Sequence, residues 1–397
     1  MRLLGRKGTR SQMSTIQLPA EVAEMTARLI EDILDRDASN QLWIAITESA
    51  EVRESLGPRA ADALADVCSL LEGHDLSDRI DRPPRPSKII DRALHESLVI
   101  HPSEKSQRQH KLASVLGRIL HLFEGDQTAE AISRVTEQAS IETFPDLCSQ
   151  ADACAASLQL KMPRIHIARG EEKLFAPCMD KSPFVCLHLD YVFARPCVQH
   201  EERSIHMQPS ELRAALGHQF EHIKSGHTPL LQLTDERLEA LVLDQVPFLV
   251  RAPIRIASKA IGMTGANKAV KKVGDWLPDH SRSQRVVDTF GDLLPDRDQE
   301  TILPDMVHDW VRSWIRGVEF SADRASLVVS GNAAAACSAL IHLSEPFAKH
   351  HDLFRRNGLQ SMLSADNEDD HAALERLREL VRFALSADYL TYISAGD

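Results

Sequence analysis

Two histidines four residues apart, His218 and His222, are the residues of this chain best suited to chemistry. On an α-helix, residues at this spacing lie on one face, one turn apart. Their imidazoles can therefore bind one Zn²⁺ ion together, with zinc–nitrogen distances of about 2.0–2.1 Å. The spacing predicts a metal site on a helix, although two such histidines are also compatible with a purely structural role.

The residue that follows the first histidine, Gln219, determines what a bound metal could do. In the zinc-hydrolase motif H-E-x-x-H, a glutamate at this position takes a proton from the zinc-bound water and returns it to the leaving amine. Glutamine has the same shape but cannot accept that proton near neutral pH, and losing a general base costs about 10²–10⁴-fold in rate. Gln219 predicts metal binding with little turnover, unless it replaces a natural glutamate in an engineered chain.

Glu221 stands directly before the second histidine, so the segment also matches the inverted motif H-x-x-E-H. At about 100° per residue, positions 219 and 221 lie on opposite flanks of the histidine pair. Glu221 could act as the base only if a substrate entered from that other flank. The alternatives are a solvated side chain, an ion pair with Lys224 or Lys181, and a place close to the metal.

The residues around the histidines resemble the HtpX-like and CAAX-prenyl-endopeptidase-like zinc metallopeptidases, which are gluzincins. The core of that family has the form E-L-x-x-x-x-x-H-E-x-x-H-x-x-x-x-H. Residues 211–227 follow this form, except that Gln219 replaces the glutamate and Glu221 stands where the family usually has glycine. About a hundred residues later, residues 319–324 match the family pattern E-x-x-A-D-R letter for letter. The likeness covers about residues 143–360.

The resemblance implies a ligand set for one zinc ion. His218 and His222 would bind it together with Glu319, the glutamate of the second motif, and a fourth position would remain for water. Asp323 would orient a ligand histidine through its other ring nitrogen. An ion pair between Asp323 and Arg324 on the helix surface is the alternative.

Three further segments carry weaker signals. His227 either helps to orient one of the metal-binding histidines, as Asp323 would, or is a solvated histidine after the helix. His350, His351 and Arg355 match a later segment of the family only loosely. Residues 174–176, between two predicted strands, resemble the region of the family's edge strand.

The pattern along the chain predicts a mostly α, α+β protein. Short strands are expected at residues 163–169 and 184–190, and the histidines belong to a helix that begins near Pro209, is capped by Ser210 and stops at Gly226. We expect three parts. The first is a helical N-terminal region over residues 1–140, with a flexible tail at 1–13 and a proline-rich linker at 81–87. The second is a zincin-like metallopeptidase domain with a small sheet over residues 141–362. The third is a C-terminal amphipathic helix over residues 363–397.

Composition narrows the class of protein. The net charge of −12 argues against nucleic-acid binding, and no apolar run approaches the length of about 18 residues that a membrane span needs. Seven cysteines without a C-x-x-C pair predict free thiols and a cytoplasmic location. Residues 245–274 contain six lysines and arginines but no acid. This basic insert could contact an anionic membrane surface, cover the site as a lid, or pack on the domain as a surface element.

The predicted function is that of a zinc-dependent metalloendopeptidase-like protein, which hydrolyses peptide bonds with a metal-activated water and is impaired by Gln219. The alternative is an inactive, zinc-binding pseudopeptidase that serves as a scaffold for a peptide or protein partner. In that case residues 1–140 would carry the interaction. A third possibility is a helical structural protein whose histidines bind no metal.

Overall fold

The structure is a computed structural model, and it describes residues 18–84, 88–105, 132, 134–169, 175–178, 183–193, 206–228, 303–344, 348–363 and 371–395. Most of these residues are helical, and a small mixed sheet accompanies the helices, which confirms the mostly α, α+β class. The predicted tail at 1–13 and the basic insert at 245–274 lie outside the described residues, as do residues 85–87 of the predicted linker.

The N-terminal region begins with five helices: α1 (Ala20–Glu31), α2 (Arg36–Glu48), α3 (Ala50–Leu56), α4 (Pro58–Glu72) and α5 (Ser77–Ile80). Local signals set their boundaries. The side chains of Asp35 and Ser49 accept hydrogen bonds from the first turns of α2 and α3. Gly57, at φ 75°, joins α3 to α4, which starts with Pro58. A short helix α6 (Arg92–Leu94) and a π-helical turn (His95–Val99) follow.

The described strands form one sheet in the order β1-β2-β4-β3. The strands are β1 (Glu137–Gln138), β2 (Arg164–Ala168), β3 (Phe175–Cys178) and β4 (Phe184–His188), with α7 (Pro145–Ser157) between β1 and β2. β2 and β4 are the two predicted strands, and they pair in parallel in the centre. β3 is antiparallel to β4 and, among the described strands, forms an edge of the sheet.

The helix that carries the histidines, α8 (Pro209–Lys224), is buried on all sides from Ser210 to His222. It packs against α7 and two later helices, α9 (Leu303–Ser330) and α10 (Ala333–Leu343). The prediction that Ser210 caps the helix is wrong. Gln208 is the cap and forms a reciprocal capping box with Glu211, while the Ser210 hydroxyl donates to the carbonyl of Arg82. The predicted stop is correct, because Gly226 has φ 72° just beyond the helix.

Gly217 lets α8 approach α9 closely. A Cβ atom at this position would lie 3.2 Å from Cβ of Val329 and 3.4 Å from the carbonyl oxygen of Ala325. The absent side chain therefore brings the two motif-bearing helices into direct contact, which is the condition for residues of both helices to share one site.

The C-terminal segment contains α11 (His351–Asn357), α12 (Gln360–Leu363), α13 (His371–Leu385) and α14 (Ala387–Ser394). Ser386 separates the last two helices, because its side chain caps α14. Helix α13 packs against α1, α4 and α9, and one apolar cluster includes residues of the N-terminal helices, the sheet and the C-terminal helices. Within the described ranges, no helix combines the length and apolar character that crossing a bilayer requires.

Candidate metal centre

Helices α8 and α9 bring His218, His222 and Glu319 together, and we call these residues the three-donor group. Each can offer one atom such that the three atoms lie within 4.8 Å of one another. The Nε2 atoms of the two histidines are 3.0 Å apart. Each of them lies 3.6 Å from an oxygen of Glu319, His218 from Oε2 and His222 from Oε1. The structure thus has a histidine–glutamate group that could hold a metal ion.

These separations are close to those around a tetrahedral ion. With zinc–ligand bonds of about 2.0–2.1 Å, neighbouring ligand atoms in a tetrahedron are about 3.3–3.4 Å apart. The two histidine nitrogens are 3.0 Å apart, and each lies 3.6 Å from a different oxygen of the Glu319 carboxylate. A hydrogen bond between the two histidine rings would also explain the distance of 3.0 Å between their Nε2 atoms. Metal analysis distinguishes such a hydrogen bond from a bound ion.

Asp323 and Arg376 contact the three-donor group, Asp323 through His218 and Arg376 through Glu319. Asp323 lies one turn after Glu319 on α9, and its Oδ1 is 3.1 Å from Nδ1 of His218. A neutral His218 that donates from Nδ1 to this carboxylate presents the lone pair of Nε2 to the other donors. Arg376, on α13, makes a bidentate contact with Asp323 at 2.7 and 2.8 Å, and its Nη1 lies 2.9 Å from Oε2 of Glu319.

Neighbouring charges keep Asp323 ionised, and burial with neighbouring charges keeps His222 neutral, which are the forms that suit a metal site. Burial opposes ionisation of Asp323, but Arg376 and His218 outweigh it, so the pKa of this carboxyl lies below its usual value. Burial, together with His218, His227 and Arg376, holds the pKa of His222 well below the usual value. His222 is therefore neutral at physiological pH, as a metal ligand must be.

Gln219 lies beside the three-donor group and contacts the edge strand. Its Nε2 donates to the carbonyl oxygen of Phe175 on β3, at 3.3 Å. A carbonyl can only accept, so this contact fixes which end of the amide faces the strand. The other end, Oε1, is buried and has no hydrogen-bond partner among the described residues.

Glu221 points away from the three-donor group. Both of its carboxylate oxygens contact Nε2 of His95, at 2.8 and 2.9 Å, and Ser225 donates to the same carboxylate. Glu221 is fully buried and is not among the residues that line the cavity beside the donors. None of the alternatives considered from the sequence included His95, because that residue precedes Glu221 by 126 positions.

His227 contributes to a neighbouring buried contact. Its Nε2 lies 2.8 Å from Oε1 of Glu104, whose other oxygen accepts from Ser321 on α9. The His227 ring also packs against the ring of His222 at a centroid distance of 5.7 Å. His227 thus supports His222 through ring packing and connects α8 to the segment around Glu104.

His351 and Arg355 lie at the other end of α8. His351 Nε2 is 3.1 Å from Oε1 of Glu211, and Arg355 Nη1 is 3.6 Å from Oε2 of the same carboxylate. Together with His342, Glu211 and His351 form a second buried group whose geometry could hold a metal ion. The Glu211 carboxylate is already engaged by His351, Ser338, Arg355 and the Gln208 backbone, so this group has the character of a hydrogen-bonded anchor.

A cavity of about 260 Å³ opens beside the three-donor group. Residues of β3, α8, α9, α10 and α13 line it, together with Ser344 at the end of α10. They are Phe175, Ala176, Pro177, Ala215, His218, Gln219, His222, Glu319, Asp323, Ser326, Ala339, Leu340, Leu343, Ser344 and Arg376. The lining thus combines apolar side chains with the three donors, a combination typical of small-ligand sites.

Arg376 belongs to this centre but was not predicted from the sequence. On α13 it lies one turn before Leu380 and two turns before Phe383, so it belongs to the buried face of an amphipathic helix. A cation in the middle of an apolar stripe needs a buried partner, and that pattern could have marked it.

A comparison of the chain with family models, with curated proteins and with solved structures found no match to any of them. The geometry of the centre is therefore the basis on which a function can be assigned.

Proposed function

We propose that this chain is a zinc-binding protein with a peptidase-type centre, which takes peptide ligands into the cavity and hydrolyses them slowly or not at all. The convergence of His218, His222 and Glu319 beside an open cavity carries this proposal. Two imidazoles and one carboxylate are a usual ligand set for catalytic zinc and leave a further position free.

The chemistry that zinc would supply is a bound water of lowered pKa and polarisation of a carbonyl group. The residues around it determine whether that chemistry can be used. His218 and His222 present their Nε2 atoms, Asp323 fixes the ring of His218, and Arg376 fixes both carboxylates.

The step that this chain lacks is proton transfer. Of the described residues that line the cavity, only Glu319 and Asp323 carry a carboxylate. The first belongs to the donor group, and the second is held by Arg376 and His218. Gln219 lies on the flank where a general base would be needed, and Glu221 is engaged by His95 on the other flank. These contacts favour the pseudopeptidase over the metalloendopeptidase.

Peptide hydrolysis is the second candidate function, and one observation favours it. The edge strand β3 lines the same cavity as the donors, so an extended peptide could pair with it next to the metal. The likeness of residues 211–227 and 319–324 to the HtpX-like metallopeptidases belongs to this proposal as well.

One experiment tests the proposal. Zinc content is first measured on purified protein, and cleavage of casein is then compared for the unaltered chain, Gln219→Glu and the matched control Gln138→Glu, which alters an exposed residue of β1. We expect about one zinc per chain in all three proteins. The rate of casein hydrolysis should be about 10²–10⁴-fold higher in Gln219→Glu than in the unaltered chain and in Gln138→Glu. Equal hydrolysis by the unaltered chain and Gln219→Glu would show that another residue acts as the base. An absence of zinc would remove the proposal altogether.

A further inference from the structure

The charges around the cavity do not balance once a divalent ion is bound. Among the described residues, two carboxylates, Glu319 and Asp323, and one guanidinium, Arg376, line the cavity. The carboxylates offset the two positive charges of the ion, so the guanidinium leaves one positive charge in excess. A glutamate at position 219 would cancel this charge, whereas Gln219 does not. The loaded cavity therefore attracts an anionic ligand.

Arg376 retains donors for such a ligand. A guanidinium has five N–H groups, and the contacts with Asp323 and Glu319 use Nε, Nη2 and Nη1 once each. The side chain is 21% exposed and Arg376 lines the cavity, so its guanidinium lies next to the space that a ligand would occupy. Because the two carboxylates already hold the guanidinium in place, little ordering is needed when a ligand binds.

Gln219 points to a second requirement, a hydrogen-bond donor on the ligand. The residue is 5% exposed, its Nε2 is used by Phe175, and its Oε1 has no partner among the described residues. A buried acceptor without a hydrogen-bond partner is destabilising. A ligand that carries an N–H group close to its anionic group would relieve this destabilisation.

The apolar lining residues and the volume of the cavity limit the polarity and the size of the ligand. Leu340 and Leu343 of α10 and Phe175 of β3 provide apolar surface. The cavity volume of about 260 Å³ lies below the range of about 300–1,000 Å³ that is usual for small-molecule pockets. This volume suits the end of a chain better than a long internal segment.

We propose that the cavity binds the C-terminal end of a peptide. The terminal carboxylate would face the three-donor group and Arg376, the last amide N–H would donate to Oε1 of Gln219, and an apolar last side chain would contact Leu340 and Leu343. This inference rests on the proposed function, since the excess positive charge exists only with a divalent ion in the site.

The test uses the full chain loaded with zinc, with the metal content measured before each titration. Calorimetry compares N-acetyl-alanyl-leucine with its C-terminal amide, which lacks only the negative charge. A third probe, 4-methylpentanoate, keeps the carboxylate and the apolar group but lacks the amide N–H. The variants are Gln219→Glu, which adds a negative charge in the cavity, and Gln138→Glu, which adds the same charge on exposed β1.

We expect the peptide acid to bind at least tenfold more tightly than the amide, and removal of zinc to abolish that preference. Gln219→Glu weakens binding of the acid at least tenfold, and Gln138→Glu leaves it unchanged. Equal binding of acid and amide to zinc-loaded protein overturns this inference and leaves the zinc centre intact. Equal binding of 4-methylpentanoate and the peptide acid overturns the assignment to a peptide end. A chain without zinc overturns the proposed function and this inference with it.

Discussion

Asp323 places one carboxylate oxygen 3.1 Å from Nδ1 of His218, the ring nitrogen that faces away from the three-donor group. Such a contact selects the tautomer that leaves Nε2 free to bind a metal, and it fixes the ring. Together with Arg376, which has the larger effect, this contact lowers the pKa of the Asp323 carboxyl although the residue is 3% exposed.

We expect Asp323→Asn to lower the affinity for zinc by about 10–100-fold without removing the three donors. Competition with a chromophoric chelator measures this change. The control is Asp78→Asn, an exposed carboxyl at the start of α5, which leaves the affinity unchanged. An unchanged zinc affinity in folded Asp323→Asn would mean that His218 is held by other contacts.

Removal of any donor should abolish stoichiometric zinc. His218→Ala, His222→Ala and Glu319→Gln each leave two protein ligands where three are needed, so zinc content is expected to fall from about one per chain to well below one after gel filtration. His371→Ala, which alters the exposed first residue of α13, is the matched control and keeps its zinc. If all three donor variants retain zinc, the metal is held elsewhere in the chain.

The buried pair of His95 and Glu221 is expected to stabilise the fold without acting in chemistry. Removal of one partner of a buried, hydrogen-bonded pair costs about 3–5 kcal/mol. We therefore expect His95→Ala to lower the free energy of unfolding by that amount in urea denaturation, and the added change Glu221→Gln to recover part of it. The exposed His74→Ala serves as control.

A change at Glu221 tests whether this residue, rather than position 219, acts as the general base. In the Gln219→Glu background, Glu221→Gln should lower the unfolding midpoint and leave hydrolysis within a few-fold. Loss of hydrolysis in a folded, zinc-loaded Glu221→Gln protein would instead assign the proton transfer to Glu221.

His342 should make stability depend on pH. Burial, reinforced by the neighbouring His351, lowers the pKa of His342 from 6.5 to about 4. Between these values the unfolded chain binds a proton at this residue and the folded chain does not, so stability falls as the pH drops from about 6.5 to 4. The loss is on the order of 3 kcal/mol.

His342→Leu removes this titration. Urea denaturation at pH 7.5, 5.5 and 4.5 should show a smaller loss of stability on acidification in His342→Leu than in the unaltered chain. Identical slopes would mean that His342 titrates at its ordinary pKa in the folded protein.

One part of the centre could be predicted from a local rule and another part only from a resemblance. The four-residue spacing places His218 and His222 on one helical face. Glu319 and Asp323 were expected because residues 319–324 resemble a family pattern. The central strands β2 and β4 were predicted from their alternation. β1 and β3 have two and four residues, which is too short for a periodic signal.

The missed contacts join residues that are far apart in sequence. His95 meets Glu221, Glu104 meets His227, and Arg376 meets Asp323, and no periodicity links the members of these pairs. What the sequence does show is that α8 carries many polar residues. Once the helix is buried on all sides, each of them needs a partner from another element.

The most direct test of the three-donor group is X-ray absorption at the zinc edge on the purified, zinc-loaded chain, combined with metal analysis. About one zinc per chain is expected, with two imidazole nitrogens and carboxylate or water oxygen at about 2.0–2.1 Å and no sulfur. A chain that retains no zinc, or one whose zinc is bound by cysteine sulfur at about 2.3 Å, would contradict the assignment.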